Sequence, residues 1–238
     1  MPRILEPGQI EASAGRAIPR IRLPERACVF SARARRLRQL AEAGAPGHAI
    51  GDYLRLMAVM ADALLAGRAE AVEVGAAPFL MGALQVHWVA LASRLPPEQV
   101  PPLDVPGLCP VCGTLPVASI VRAEARSEGY RFLHCALCGT EWHLVRITCS
   151  QCQGTANIAY HSIEGAAEAV RAESCDGCHT YRKILYQEKD PNVEPVADDL
   201  ASLALDLLMS EAGYHRGSGN PLLWQTPAER RAESVFAT

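Results

Sequence analysis

The chain has 238 residues, of which 49% are hydrophobic and 21% are charged, a composition typical of a folded soluble protein. Its formal net charge of −3 gives no general attraction to nucleic acid or to an anionic membrane. The best apolar run, residues 75–84, is far shorter than the roughly 20 residues that span a bilayer, so we predict no membrane insertion. The first residues lack the pattern of a secretory signal, and we predict a cytoplasmic protein.

Residues 1–24 are predicted to form a loose, arginine-rich arm. Nine Arg and only three Glu fall between Met1 and Arg38, and prolines interrupt any helical period. The positive charge would suit an acidic surface, but a solvated tail explains the same composition, and the sequence leaves both open.

Residues 25–95 have the apolar periodicity of a helical domain. One predicted helix has an apolar stripe that includes Ile50, Leu54, Met57 and Leu64. A second helix is predicted from about Pro78 to Arg94. Its expected buried face consists of Leu80, Leu84, Trp88 and Leu91.

Residues 96–107 contain five prolines and are predicted to form an extended linker to a region of different texture. Short β-type runs follow it. They are 117–121, 130–134, 141–147, 157–161 and 180–187.

Residues 191–238 are predicted to hold one helix, from about Asp198 to Ala212, followed by a tail. Asp198 and Asp199 suit its positive N-terminal end, and Gly213 suits a left-handed C-terminal cap. The apolar stripe consists of Leu200, Leu203, Leu207 and Leu208. We expect this stripe to pack back onto the N-terminal helices.

Eight of the nine cysteines form four C-x-x-C pairs. The pairs are Cys109/Cys112, Cys135/Cys138, Cys149/Cys152 and Cys175/Cys178. Each cysteine of the first two pairs has an equivalent in the last two pairs, always at the same step along the chain, the one that leads from Cys109 to Cys149. This regularity indicates two copies of one module. We call this step the repeat spacing. We place the first module at 108–147 and the second at 148–190, and we call each C-x-x-C turn a knuckle.

Two knuckles on neighbouring hairpins place four sulfurs around one metal ion, which predicts a tetrahedral site in each module. Such a site suits Zn²⁺ or a single iron ion, and the sequence does not choose between them. Because four cysteines complete the coordination, we expect no metal catalysis and no enzyme activity. Gly113 and Gly139 follow two knuckles, whereas Gln153 and His179 take their places in the second module, where we expect weaker hydrogen bonding.

Other interpretations of these residues carry less weight. A thiol–disulfide motif explains one C-x-x-C pair, but not four in this register. His134, His143 and His161 are predicted to be strand residues, and His179 is the single histidine considered as a substitute ligand. Cys28 is predicted to be a small buried residue.

Between residues 105 and 190, nine acidic residues oppose eight basic ones, which disfavours phosphate binding. The residues alone therefore indicate a metal-stabilised interaction protein.

The cysteine segments also resemble the formate dehydrogenase accessory protein FdhE family. The resemblance is carried by Cys-Pro-Val-Cys-Gly at 109–113, by Leu-His-Cys-Ala-Leu-Cys-Gly-Thr-Glu-Trp-His at 133–143, and by Arg146, Cys149 and Cys152. Residues 76–80, Gln85–Val86 with Trp88, and 198–206 support it, so that it extends from about Leu23 to Pro221. The helical region is shorter than the family usually has, with the missing stretch placed between the Leu54–Leu65 helix and Val74.

The resemblance implies an α+β fold, in which an N-terminal helical domain precedes two tandem rubredoxin-like or zinc-ribbon modules and a C-terminal helix packs back on the helical part. It implies iron, with zinc as the alternative, bound by the eight paired cysteines. It also implies contact with the catalytic subunit of respiratory formate dehydrogenase in the cytoplasm, before export and without oxidation of formate. Self-association is left open. A zinc-ribbon nucleic-acid-binding protein and a rubredoxin-like electron-transfer protein are the alternatives.

Overall fold

A computed structural model describes residues 21–22, 60–65, 75–100, 104–123, 129–166 and 168–223. Most of the predicted arm, most of the first helical stripe, Cys28 and the tail beyond residue 223 lie outside these ranges. The described part of the chain is built around one eight-stranded sheet. The predicted α+β class is therefore confirmed.

The strands of this sheet are short. They are β1 (Ile21–Arg22), β2 (Pro116–Val121), β3 (Arg131–Cys135), β4 (Glu141–His143), β5 (Ile158–His161), β6 (Val170–Cys175), β7 (Thr180–Tyr186) and β8 (His215–Arg216). Their order across the sheet is β1-β4-β3-β2-β7-β6-β5, and β8 also pairs with β7. Neighbours are antiparallel except for the parallel pairs β2–β7 and β7–β8.

The two predicted modules are two copies of a three-stranded meander, β2-β3-β4 and β5-β6-β7. The repeat spacing carries β3 (Arg131–Cys135) onto the end of β6, from Arg171 to Cys175. The modules join through β2 of the first and β7 of the second, which pair in parallel with Ser119 opposite Ile184. Since β2 and β7 run in the same direction, the knuckles of both modules lie at the same end of the sheet.

Two strand predictions differ from the structure. The strand expected at 141–147 ends at His143, after which residues 144–148 lead to the first knuckle of the second module. No strand was expected at 170–175, where β6 forms the centre of the second meander. Its sequence, Val-Arg-Ala-Glu-Ser-Cys, has little intrinsic β propensity, so its pairing partners determine its conformation.

The N-terminal helical residues cover the first module. Helix α1 (Ala77–Ala92) buries Ala77, Leu80, Gln85, Val89 and Ala92, and Leu80 packs with Met60 and Ala63 of the helical residues 60–65. The prediction that Leu91 faces the core is wrong, because this side chain is 43% exposed. The linker is not wholly extended, since Pro97–Gln99 form a 3-10 turn and Val100 is buried.

The predicted C-terminal helix is two helices. Helix α2 (Pro195–Ala201) ends at Ser202, whose hydroxyl donates to the Asp198 carbonyl, and helix α3 (Leu203–Glu211) begins directly after it. Glu194 caps α2 by accepting from the Ala197 N–H, and Gly213 has the expected positive φ of 85°.

These two helices pack on the sheet in the described part of the chain, not on the N-terminal helices as predicted. Val196 of α2 lies in a cluster with Ile120 and Leu185, and Leu205 and Met209 of α3 pack on β6 and β7. The predicted stripe is also wrong for α3, because Leu203, Leu207 and Leu208 are exposed. The break at Ser202 turns a different face of α3 toward the core.

A buried ionic network fixes α2 and α3 to β7. The Lys183 Nζ donates to the carbonyls of Asp199 and Ser202 and to the Asp206 carboxylate at 2.6 Å. Arg216 forms ion pairs with both Asp199 and Asp206. A buried ammonium group is tolerated only when it is paired and hydrogen-bonded, as it is here. None of the described helices has the length and apolar character required to cross a membrane.

Candidate metal centres

The eight paired cysteines lie in two groups of four, which we call site 1 and site 2. Site 1 consists of Cys109, Cys112, Cys135 and Cys138, and site 2 of Cys149, Cys152, Cys175 and Cys178. In each group all four Sγ atoms lie within 4.8 Å of one another. The structure therefore brings together, module by module, every cysteine that the spacing indicated as a ligand.

The shortest sulfur–sulfur distances join equivalent pairs of cysteines in the two sites. In site 1 the Sγ atoms of Cys109 and Cys138 are 3.5 Å apart, and those of Cys112 and Cys135 are 3.4 Å apart. The corresponding distances in site 2 are 3.6 Å for Cys149–Cys178 and 3.7 Å for Cys152–Cys175. The two sites thus have the same internal arrangement.

These distances fit a tetrahedral metal ion. A metal–sulfur bond of about 2.3 Å requires about 3.8 Å between the sulfurs of a regular tetrahedron. An S₄ donor set selects zinc or iron, and it leaves no position for water or substrate when all four sulfurs are bound. Each group can therefore hold one metal ion in a closed site.

A residue with positive φ follows each knuckle and turns the chain back over the sulfurs. Gly113 and Gly139 have φ of 75° and 68°, and Gln153 and His179 adopt φ of 61° and 52° at the equivalent positions. Side chains other than glycine rarely take this conformation, so the second module bears some strain that the first avoids.

The expectation of weaker hydrogen bonding after Cys149 is wrong. The Gln153 N–H donates to the Cys149 carbonyl at 3.0 Å, and the Cys149 N–H donates to the Gly154 carbonyl at 2.8 Å. The knuckle at Cys109 has the same two bonds. The Gly113 N–H donates to the Cys109 carbonyl at 2.9 Å, and the Cys109 N–H donates to the Thr114 carbonyl at 3.0 Å. A backbone N–H group also donates to sulfur in this knuckle, since the Gln151 N lies 3.3 Å from the Cys149 Sγ.

Sequence reasoning missed three threonines that lie beside the sulfurs. The hydroxyls of Thr114, Thr140 and Thr180 lie 3.4, 3.0 and 2.9 Å from the Sγ atoms of the cysteines two residues before them. A hydroxyl at this distance can donate to a thiolate and support a metal ligand. The repeated Cys-x-Thr was the available signal, and Cys152 is the exception, since Gly154 occupies that position.

The sulfurs of each group compete for ionisation. In site 1, hydrogen bonding to Cys109 is the main cause that lowers the pKa of Cys112 and the main cause that raises the pKa of Cys135. In site 2, burial opposes ionisation of Cys149, but the N–H groups of Cys152 and Gln151 outweigh it and lower its pKa to about 7. Four thiolates this close repel one another, so full ionisation requires a bound cation.

Site 1 lies under an apolar cover. Its sulfurs pack in one cluster with the indole of Trp142 and with Leu84 and Trp88 of helix α1. The Trp142 Nε1 donates to the Pro106 carbonyl at 2.7 Å, and the buried Gln85 amide donates to the Ala136 carbonyl inside the second knuckle at 2.8 Å. Helix α1 thus holds the knuckle of Cys135 and Cys138 in place.

Site 2 has polar surroundings. The guanidinium of Arg182 is buried, and its Nε donates at 2.8 Å to the hydroxyl of Ser150, which lies between Cys149 and Cys152. Its Nη1 donates to the Ser218 hydroxyl at 2.6 Å and to the Pro116 carbonyl. Burial lowers the pKa of Arg182 to about 9, and the charge of Cys149 acts in the opposite direction.

The histidines of the described ranges lie outside the two sulfur groups. His134 is hydrogen-bonded to Glu141 with 3.1 Å between Nδ1 and Oε1, and His161 pairs with the Ser174 hydroxyl. The ring of His143 packs edge-on against Tyr130 and Phe132. The neighbours of Cys178 in site 2 are the other three cysteines of its group, so His179 is not needed as a substitute ligand.

Comparison with known protein families gives one consistent result. Three family models match this chain in succession: FdhE, N-terminal, at residues 18–63 and 59–104; FdhE, central domain, at 108–146; and FdhE, C-terminal domain, at 147–223. The central and C-terminal matches together contain both cysteine groups.

Individual relatives agree with these models. The chain is 49% identical over 171 residues to the FdhE homolog of Cronobacter sakazakii and 46% identical to the FdhE protein of Escherichia coli, in each case over 71% of this chain and 55% of the relative. It thus spans about half the length of the curated relatives it matches. The crystal structure of the FdhE protein from Pseudomonas aeruginosa superposes with a TM-score of 0.66 at 35% identity, covering 85% of this chain and 81% of that one.

Proposed function

Because the chain belongs to the FdhE family, we propose that it is an accessory protein for the maturation of formate dehydrogenase and is not itself an enzyme. The three family matches confirm the resemblance to this family that the cysteine segments indicated. The observation that carries the proposal is the pair of closed four-cysteine groups at one end of a single sheet. A closed S₄ site favours a scaffold over catalysis at the metal.

The proposal assigns one metal ion to each group, with iron in both sites and zinc as the alternative. The proposed ligands are the eight paired cysteines. When bound, the metal supplies a cross-link between two knuckles and neutralises part of the thiolate charge. Such cross-links stabilise small β-modules of this kind, so loss of metal would destabilise the module that holds it.

The proposed partner is the catalytic subunit of formate dehydrogenase, met in the cytoplasm before export. The family supports this choice, and the fold supports a binding role, since the two modules form one continuous surface rather than two loosely tethered units. The proposed division of the chain follows the sequence: an arm (1–24), a helical domain (25–95), a linker (96–107), two modules (108–147 and 148–190) and a C-terminal region (191–238).

The disposition of basic residues argues against a nucleic-acid interface on the modules. Arg131, Arg182 and Lys183 account for three of the eight basic residues there, and all three are buried in internal ion pairs or hydrogen bonds. A basic side chain that is buried and paired inside the protein cannot reach and neutralise a phosphate group.

A complementation experiment tests the proposed function. Cells that lack their own FdhE-family protein would receive the wild-type chain, the Cys112→Ser variant or the Cys28→Ser variant, the last as a matched control at a cysteine that is not one of the eight proposed ligands. We expect the wild type and Cys28→Ser to restore formate dehydrogenase activity and Cys112→Ser to fail. Full activity with Cys112→Ser would contradict the role given to site 1, and no activity with the wild type would contradict the proposed function.

A further inference from the structure

The two sites have the same internal geometry but differ in their access to solvent. In site 1 three cysteines are buried and Cys112 is half-buried. The equivalent of Cys112 in site 2, one repeat spacing further along the chain, is Cys152, and its side chain is exposed. A reagent or partner thiol in solution can therefore reach one sulfur of site 2 more easily than any sulfur of site 1.

The cover over the sites also differs. Cys109, Cys135 and Cys138 belong to an apolar cluster that helix α1 closes with Leu84 and Trp88. None of the four clusters of buried apolar residues found in the described ranges contains a cysteine of site 2. Site 1 would have to lose tertiary packing before its metal left, whereas site 2 would not.

The repeat places different side chains behind the two sites. Trp142 packs on site 1, and Arg182, one repeat spacing further along the chain, occupies the same place in the second module. Four thiolates around a divalent ion carry an excess of two negative charges, and the buried guanidinium of Arg182 lies beside that charge only in site 2. The neighbourhood of site 2 is thus charged and hydrogen-bonded, which tolerates water and polar ligands.

Cys152 also lacks the hydroxyl that supports its equivalents. Cys112, Cys138 and Cys178 each have a threonine hydroxyl within 3.4 Å of Sγ. At Cys152 the residue two positions on is Gly154, whose Cα faces the sulfur so closely that an added Cβ would lie 3.3 Å from it. The Gly154 backbone N–H hydrogen-bonds to this sulfur instead, but a metal ligand without the threonine hydroxyl has less support from its surroundings.

We propose that site 2 is an exchangeable metal centre whose first ligand to leave is Cys152, whereas site 1 is permanent. The proposal rests on the metal binding assigned to both sites under the proposed function. Its ligand class is a thiol, either of the client protein or of low molecular weight. In the exchange Cys152 accepts the proton of the incoming thiol, whose sulfur takes its place as fourth ligand, so no electron is transferred.

The test uses the full-length chain loaded with two equivalents of zinc and treated with iodoacetamide. Peptide mass spectrometry would give the alkylation rate of each cysteine, and a chromogenic chelator would follow the zinc released. We expect Cys152 to react at least about tenfold faster than Cys112, with one zinc released in a fast phase and the second in a slow phase. Equal rates at Cys112 and Cys152, or release of both ions in one phase, would overturn the proposal. Fewer than two zinc ions bound before treatment would instead overturn metal binding itself.

A matched pair of variants gives a second readout. Cys112→Ser and Cys152→Ser make the same chemical change at equivalent positions of the two modules. We expect Cys152→Ser to retain the site 1 ion and to show a small drop in melting temperature, and Cys112→Ser to lose the site 1 ion with a clearly larger drop. The reverse order of stability would contradict the assignment of site 1 as permanent.

Discussion

Arg131 of the first module and Glu173 of the second form a buried ion pair, with 2.8 Å between Nη2 and Oε1. Arg131 also donates to the Ser119 hydroxyl and to the Thr148 carbonyl, just before the first knuckle of the second module. The pair therefore fixes the second module against the first at the point where β2 and β7 join. It holds sites 1 and 2 in one rigid arrangement at the same end of the sheet.

Breaking this pair from one side should destabilise the protein strongly. Arg131→Met would remove the guanidinium that lies 2.8 Å from the buried Glu173 carboxylate, at a cost of about 3–5 kcal/mol in the free energy of unfolding. The exposed pair Lys189–Glu168, 3.6 Å apart, provides the control, since Lys189→Met should change stability by less than about 1 kcal/mol. Equal effects of the two substitutions in urea denaturation would contradict a buried, essential pair.

Glu141 should contribute a pH-dependent part of the stability. Burial opposes its ionisation, but the hydrogen bond to His134 and the charge of Arg122 outweigh burial and lower its pKa from 4.5 to about 2. A carboxyl whose pKa is lower in the folded state stabilises the fold above its unfolded pKa, and that contribution is lost as the pH falls toward 2. The shift corresponds to about 3 kcal/mol.

The measurement compares wild type with Glu141→Gln between pH 6 and pH 2. We expect their difference in unfolding free energy to be largest above pH 4.5 and to decrease steadily below it. Acid also removes metal, but it does so in both proteins, so the difference isolates the carboxyl group. Glu168→Gln, at an exposed carboxylate, is the matched control. A difference that stays constant with pH would show that Glu141 does not have the lowered pKa.

The threonine beside Cys138 should strengthen metal binding at site 1. Thr140→Val keeps the shape of the side chain but removes the hydroxyl that lies 3.0 Å from Sγ. Loss of such a supporting group lowers metal affinity by about 10- to 100-fold, which a competition titration with a zinc chelator would measure. Thr155→Val, at an exposed threonine, is the control and should leave the affinity of site 1 unchanged. Equal affinities of Thr140→Val and wild type would show that the hydroxyl does not support the ligand.

The left-handed residue after Cys152 should be a position where glycine stabilises the protein. Gln153 has φ of 61°, whereas the first module has Gly113 in the same place with φ of 75°. Gln153→Gly should therefore raise the unfolding free energy by about 1 kcal/mol, and Gly113→Gln should lower it by a similar amount. Thermal denaturation of the metal-loaded variants would measure both. Destabilisation by Gln153→Gly would contradict the strain assigned to this turn.

Local signals predicted much of the modules. The spacing of the eight cysteines placed them in two groups of four, because a C-x-x-C turn and its recurrence at a constant spacing are features of the sequence itself. β6 was missed although the same repeat carries β3 onto it, since only its partners, and not its own residues, favour a strand.

Non-local structure could not be predicted in the same way. The parallel pairing of β2 with β7 places Ser119 opposite Ile184, far along the chain, and has no local signature. The stripe of Leu203, Leu207 and Leu208 was wrong because the chain breaks at Ser202 and turns Leu205 and Met209 to the sheet. A break in a helix changes which face is buried after the break. A prediction from periodicity alone assumes that the helix is continuous.

The metal content of the purified full-length chain tests the central claim most directly. The protein would be purified without added metal under argon, and its iron and zinc content and visible absorption would be measured. We predict two metal ions per chain, with iron giving charge-transfer bands that dithionite bleaches. Colourless protein with two zinc ions would replace iron by the alternative metal. Protein that is folded but contains no metal would contradict the account of two closed metal centres.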